Sequence, residues 1–153
     1  MFHIILFSPQ IPPNTGNIIR LSANTGTQLH LIEPLGFRLD EKSCRRAGLD
    51  YAALANVHIH KNLDECLEIL KLARLFVITS HSKKSLFDQK FATGDALVFG
   101  SETSGLPESV HARFTADQKL SLPMIAGNRS LNLSNAASIS VYEAWRQTGF
   151  VTT

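Results

Sequence analysis

The chain has little with which to act through sulfur, metal or a membrane. Two of its 153 residues are cysteine, Cys44 and Cys66. Their spacing fits neither a redox pair nor a metal site, which points to a reducing compartment without disulfides. No apolar run approaches the ~20 residues of a membrane-spanning helix. The start has no basic stretch or cleavage site of a secretory signal, so the expected location is the cytoplasm. His3, His30, His58, His60, His81 and His111 are scattered and match no zinc-binding spacing, so no metal is expected. His58 and His60 read as a surface pair on one strand face. The nucleotide patterns G-x-G-x-x-G and G-x-x-x-x-G-K-[ST] are absent. So is the G-x-S-x-G elbow of serine hydrolases. Charged residues are only 18% and the net charge is +2, which permits a nucleic-acid partner without arguing for one. Repeats, low-complexity tracts and linkers are missing, so residues 1–153 read as a single domain.

What is present is a regular alternation. Short apolar runs at Ile4–Phe7, Leu29–Ile32, Val57–Ile59, Leu75–Thr79, Ala96–Phe99 and Lys119–Leu122 predict strands. Several of them read as near-continuous apolar runs, which suits a parallel sheet buried on both sides. Between them lie helical patterns. Asn14 is the expected cap of a helix ending near Thr25, with Gly26 as its stop. Asn62 is the expected cap of a stripe formed by Leu63, Cys66, Leu67 and Leu70. Pro107 suits the first turn of a short helix, and a last helix runs to about Gln147 before Gly149. The predicted class is α/β, a mostly parallel sheet with helices on both faces.

In such sheets ligands sit beyond the carboxyl ends of the strands, so the loops that follow strands matter most. After the first strand comes I-P-P-N-T-G-N-I-I-R, Ile11 to Arg20. After the fifth comes F-G-S-E-T-S-G-L-P, Phe99 to Pro107, in which Glu102 stands between two glycines. After the sixth, Arg129, Ser130, Asn132, Ser134 and Asn135 crowd ahead of a helix rich in small residues. Unpaired N–H groups at a helix start suit a ligand. Lys42, Arg45 and Arg46, with Lys83 and Lys84, could contact phosphates.

These three stretches, N-T-G-N-I-I-R, F-G-S-E-T-S-G-L-P and P-M…R-S-L-N-L-S-N-A, resemble in order the motifs of the SPOUT (α/β-knot) RNA methyltransferases. H-L-I-E-P-L-G-F (His30 to Phe37) and R-R-A-G-L-D-Y (Arg45 to Tyr51) resemble the short YibK-type subgroup, which methylates the wobble-nucleotide ribose 2′-oxygen of leucine tRNAs. The resemblance covers essentially the whole chain. It implies a C-terminal trefoil knot, a homodimer and an S-adenosyl-L-methionine site built from the knot loops. It places cofactor contacts at Ile78, Gly100, Leu122, Ser130 and Leu131, with Met124 lining the same cleft and Asn132 holding the third loop. Arg20 takes the catalytic role, with Asn14 and Glu102 orienting it, the methyl acceptor or the cofactor. A guanidinium stays charged, so Arg20 would stabilise a developing alkoxide or grip the neighbouring phosphate rather than accept a proton. Arg129 and Tyr142 are expected to touch RNA, and the implied partner is the anticodon arm of leucine tRNA. Two other readings stand beside this one. One is a ribose methyltransferase of another tRNA position or of rRNA, and the other is an inactive RNA-binding scaffold of the same fold.

Overall fold

The computed structural model describes residues 1–46, 48, 51–71 and 73–151. Ala47, Leu49 and Asp50 of the Arg45–Tyr51 motif lie outside the described residues. Six strands form one sheet: β1 (His3–Phe7), β2 (Gln28–Ile32), β3 (Val57–His60), β4 (Leu75–Ile78), β5 (Ala96–Phe99) and β6 (Lys119–Leu120). Their spatial order is β3-β2-β1-β5-β4-β6, and each neighbouring pair is parallel. The chain therefore builds outward from β1 through β2 and β3, then crosses to lay down the other half. The switch falls between β1 and β5, the position where a doubly wound sheet opens a crevice.

Alternate residues of the inner strands β1, β4 and β5 feed opposite cores, which is why these read as nearly unbroken apolar runs, whereas His30 interrupts β2 and His58 and His60 interrupt β3. Ile4, Leu6, Leu29, Leu31, Leu97 and Phe99 pack with Ile18, Ile19, Ala137 and Val141, from α1 (Pro12–Thr25) and α5 (Leu133–Gln147). Ile5, Ile32, Val77 and Val98 pack on the other side with Leu63 and Cys66 of α3 (Leu63–Ile69) and Val110 of α4 (Glu108–His111). One further helix, α2 (Glu41–Arg46), contributes Cys44 to the first core.

Most predicted elements are present within a residue or two. The sixth strand is shorter than expected and ends at Leu120. Beyond it, Ser121 turns its backbone to another partner, donating to Lys84 O and accepting from Leu86 N, each at 2.8 Å. Asn62 caps α3 as expected, its Oδ1 accepting the Glu65 N–H at 2.9 Å. Asn14 does not cap α1. Pro12 and Pro13 fill the first helical positions, where a missing N–H costs nothing, so the helix begins earlier and its cap position is Ile11. Asn14 is thereby carried inside the first turn and buried. Gly26 closes α1 in the left-handed conformation, with φ of 70°.

The end of the sheet opposite the loops is clamped by an ion pair. Arg74 grips Asp95 with two parallel bonds, Nε to Oδ1 at 2.8 Å and Nη2 to Oδ2 at 2.6 Å. Asp95 is 2% exposed and also accepts the Ala92 N–H. The Arg113–Asp64 pair, by contrast, lies in solvent on both sides. Asp95→Ala is therefore expected to lower unfolding free energy by about 2–3 kcal/mol, since a buried charged acceptor disappears from three donors. Asp64→Ala should change it by less than about 1 kcal/mol. Urea denaturation of both variants checks this, and equal losses would contradict it.

Candidate active site

Three strand-end loops meet over the switch between β1 and β5, and one chain of polar side chains stitches them together. Glu102, from the loop after β5, accepts the backbone N–H of Gln10 with Oε2 at 2.8 Å and that of Ile11 with Oε1 at 3.1 Å. It thus does from a distance what a local cap would do, placing a carboxylate at the positive end of α1. The Asn14 amide donates to Glu102 Oε1 at 3.3 Å, and its oxygen accepts from Asn132 Nδ2 at 2.9 Å. Asn132 in turn caps α5, its Oδ1 accepting from Ser134 N at 2.9 Å and Asn135 N at 3.4 Å. Donors and acceptors alternate along the whole chain, and each amide has a single orientation that satisfies it.

Two glycines let the loops come this close. Ser101 and Gly105 exchange backbone hydrogen bonds and fold the Glu102 loop into a tight hairpin. A Cβ on Gly100 would collide with the carbonyl carbon of Gly105 and the nitrogen of Leu106, both backbone atoms that cannot rotate away. Gly36 serves the loop after β2 in the same way, where a Cβ would lie 2.8 Å from Gln10 Cα.

The stitched loops wall a cleft of about 640 Å³. Asn14, Ile78, Gly100, Glu102, Leu122, Met124, Ser130, Leu131 and Asn132 all line it. Arg20, Arg129 and Tyr142 do not. Arg20 lies in a neighbouring hollow with Pro12, Pro13, Gly16, Asn17, Ser43 and Arg46, where its Nη2 donates to Gly48 O at 3.3 Å. Arg129 and Tyr142 are exposed. The structure adds Thr79, Ser80 and His81, which follow β4, and Glu108 and His111 of α4. The strand-end rule points at residues 79–81, since Ile78 ends a strand, but α4 carries no such signal. The walls are apolar at Ile78, Phe99, Leu122 and Leu131 and polar at Ser80, Ser101, Thr103 and Ser130. That mixture and volume suit a small organic ligand with both apolar and polar parts.

Residues 1–142 match the family described as SpoU rRNA Methylase. The chain belongs to that family. It is 52% identical over 150 residues to a tRNA (cytidine(34)-2′-O)-methyltransferase of Methylovorus glucosotrophus, covering 98% of this chain and 97% of the relative. A solved protein described for 2-OH methylation of C/U34 on tRNA is 43% identical over 97% of both chains, with a TM-score of 0.89. The SpoU methyltransferase AviRb from Streptomyces viridochromogenes, in complex with AdoMet, is 26% identical with a TM-score of 0.82. That match covers 95% of this chain and 57% of AviRb. The parallel sheet with helices on both faces is consistent with the trefoil-knot fold of SpoU methyltransferases.

The polar chain makes a stability prediction. Glu102→Gln retains the shape but presents an NH₂ group where only acceptors fit, and is expected to cost about 1.5–3 kcal/mol. Gly100→Ala is expected to cost more, because backbone must move on both sides of the hairpin. Denaturant midpoints compare the two, and a wild-type midpoint for Glu102→Gln would mean that the loops hold together without it.

Proposed function

We propose that this chain transfers a methyl group from S-adenosyl-L-methionine to the ribose 2′-oxygen of the wobble nucleotide, cytidine or uridine 34, of leucine tRNAs. The observation that carries the reading is near-complete overlap with tRNA (cytidine(34)-2′-O)-methyltransferases at about half of all positions, joined to an open cleft at the strand ends. Ile78, Gly100, Leu122, Met124, Ser130 and Leu131 hold the cofactor. When bound, it supplies a methyl group already activated on a sulfonium. In the transfer the 2′-oxygen would take the methyl carbon, the carbon–sulfur electron pair would stay on a neutral thioether, and the hydroxyl proton would pass to water in the open cleft.

The protein's share is alignment and charge. Asn14, Glu102 and Asn132 fix the loops that frame the cleft. Arg20 stabilises the developing alkoxide or holds the adjacent phosphate, and Arg129 and Tyr142 contact the anticodon arm. A homodimer would give cover to exposed apolar side chains such as Ile125 and Ile139.

Methyl transfer onto unmodified leucine tRNA, with the product nucleoside located by mass spectrometry, tests the reaction and its position together. The expected product is a 2′-O-methylated nucleotide 34. Transfer elsewhere would keep the chemistry and discard the substrate, whereas no transfer to any RNA would favour a binding scaffold. Arg20→Ala should lower turnover by about 10²–10³-fold. Its S-adenosylmethionine affinity should stay unchanged in calorimetry, because Arg20 lies outside the cofactor cleft. Sedimentation should report a dimer for the wild type and a shift toward monomer for Ile139→Asp.

A further inference from the structure

The histidines that look scattered along the chain converge in the fold. Parallel pairing sets β1, β2 and β3 side by side, with His30 opposite Ile5 and His58, and His60 opposite Ile32. On the α3 side of the sheet this creates a row. His3 Nδ1 lies 3.2 Å from His30 Nε2, and His30 Nδ1 lies 2.9 Å from His60 Nε2. Cys66 of α3 closes the row from above. One donor atom from each of His30, His60 and Cys66 lies within 4.8 Å of the other two. Their exposures are 3%, 4% and 0%. Among the described residues this is the one place where three such donors meet. It shares no residue with the methyl-transfer cleft.

We propose that His30, His60 and Cys66 form a binding site for a zinc-class divalent ion, separate from the methyl-transfer cleft.

The donor chemistry selects the ion. Two imidazoles and a thiolate suit Zn²⁺ and exclude the hard ions Mg²⁺ and Ca²⁺, which require oxygen ligands. The surroundings match what a ligating histidine needs. With His30 Nδ1 on the metal, its other nitrogen carries the proton and donates to His3 Nδ1, the outer bond that fixes ring orientation and tautomer. An ion between His30 Nδ1 and His60 Nε2 would replace the 2.9 Å contact that now joins them. The Cys66 thiol gives its proton to water as the metal–sulfur bond forms. His60 then keeps its single proton on Nδ1. The Glu65 carboxylate acts on both His60 and Cys66 and offsets the remaining positive charge. His58 stays outside the site: its ring stacks on His30 at 5.1 Å, and its Nε2 is committed to Gln28 Oε1 at 2.7 Å. Three protein donors leave one tetrahedral position for water.

The decisive experiment is titration of metal-stripped whole protein with Co²⁺ and then Zn²⁺. A thiolate-to-cobalt charge-transfer band at one equivalent is expected, bleached by one equivalent of Zn²⁺, together with a rise in melting temperature. The band should survive Cys44→Ala, which removes the other cysteine. It should vanish in Cys66→Ala, or in Cys66→Ser where alanine leaves a protein that does not fold. Removing a ligand by His60→Gln should weaken Zn²⁺ by more than about 100-fold, and His3→Ala, which removes only the outer bond, by about 10–100-fold. Absence of the band in the wild type would overturn the site and leave a hydrogen-bonded imidazole row. A band that Cys44→Ala abolishes, or that survives loss of Cys66, would overturn it equally.

Discussion

Everything at the carboxyl end of this sheet depends on one run of hydrogen bonds, Glu102 to Asn14 to Asn132 to the first turn of α5. Glu102 and Asn132 come from two strand-end loops and Asn14 from the first turn of α1. Only Asn132 also finds partners in its own segment, at the start of α5. Glu102 stands in a hairpin too tight to offer it donors, Asn14 is buried inside a helix, and Asn132 has a helix start below and open cleft above. Asn14, the buried member, therefore needs both Glu102 and Asn132, since a buried amide left without partners costs more than its bonds contribute. The cleft is a consequence of this arrangement. Where three loops are held at their bases, the space between their tips stays open.

The same economy explains the residues around the chain. Two prolines at the start of α1 remove N–H groups that would otherwise need partners, leaving only those of Gln10 and Ile11 for the single carboxylate to satisfy. Gly100 has no room for a side chain because the hairpin that presents Glu102 closes directly against it. On α5, Ala137, Ser140, Val141 and Ala144 are buried, small enough for the helix to lie close to α1 and β5. Ser138 and Ser140 return their hydroxyls to carbonyls one turn back, so neither leaves a polar group unpaired in the contact.

Much of this is legible in the chain. The six strands announce themselves because a doubly covered sheet tolerates few polar residues, and the three loops announce themselves by the opposite composition. What the chain does not show are relations across strands and between loops. Asn14 has the composition of a cap, and only the distant Glu102 makes a cap there unnecessary. The histidines have no metal spacing in sequence, because the spacing that brings them together is the separation of about 4.7–4.9 Å between neighbouring strands rather than the rise along one. By alternation alone His60 reads as surface beside His58, but at the carboxyl end of the same strand His60 is buried beside Cys66 of α3, while His58 stays exposed two residues earlier. A knot leaves no local trace at all, since each segment of a threaded chain looks like any other loop or helix.

The separation of Arg20 from the cleft follows from helical geometry alone. Asn14 and Arg20 are six positions apart on α1, which at 3.6 residues per turn sets their side chains about 120° apart around the axis. Once Asn14 is fixed inward to join Glu102 and Asn132, Arg20 must face another way, toward α2 and Gly48. No rotamer of Arg20 changes the direction in which its Cα–Cβ bond leaves the helix. If Arg20 acts on the methyl acceptor, the acceptor must span the distance by lying across the start of α1, or a second copy must bring its own Arg20 to this cleft. In both cases the reaction centre would extend beyond the cleft that Asn14, Glu102 and Asn132 frame.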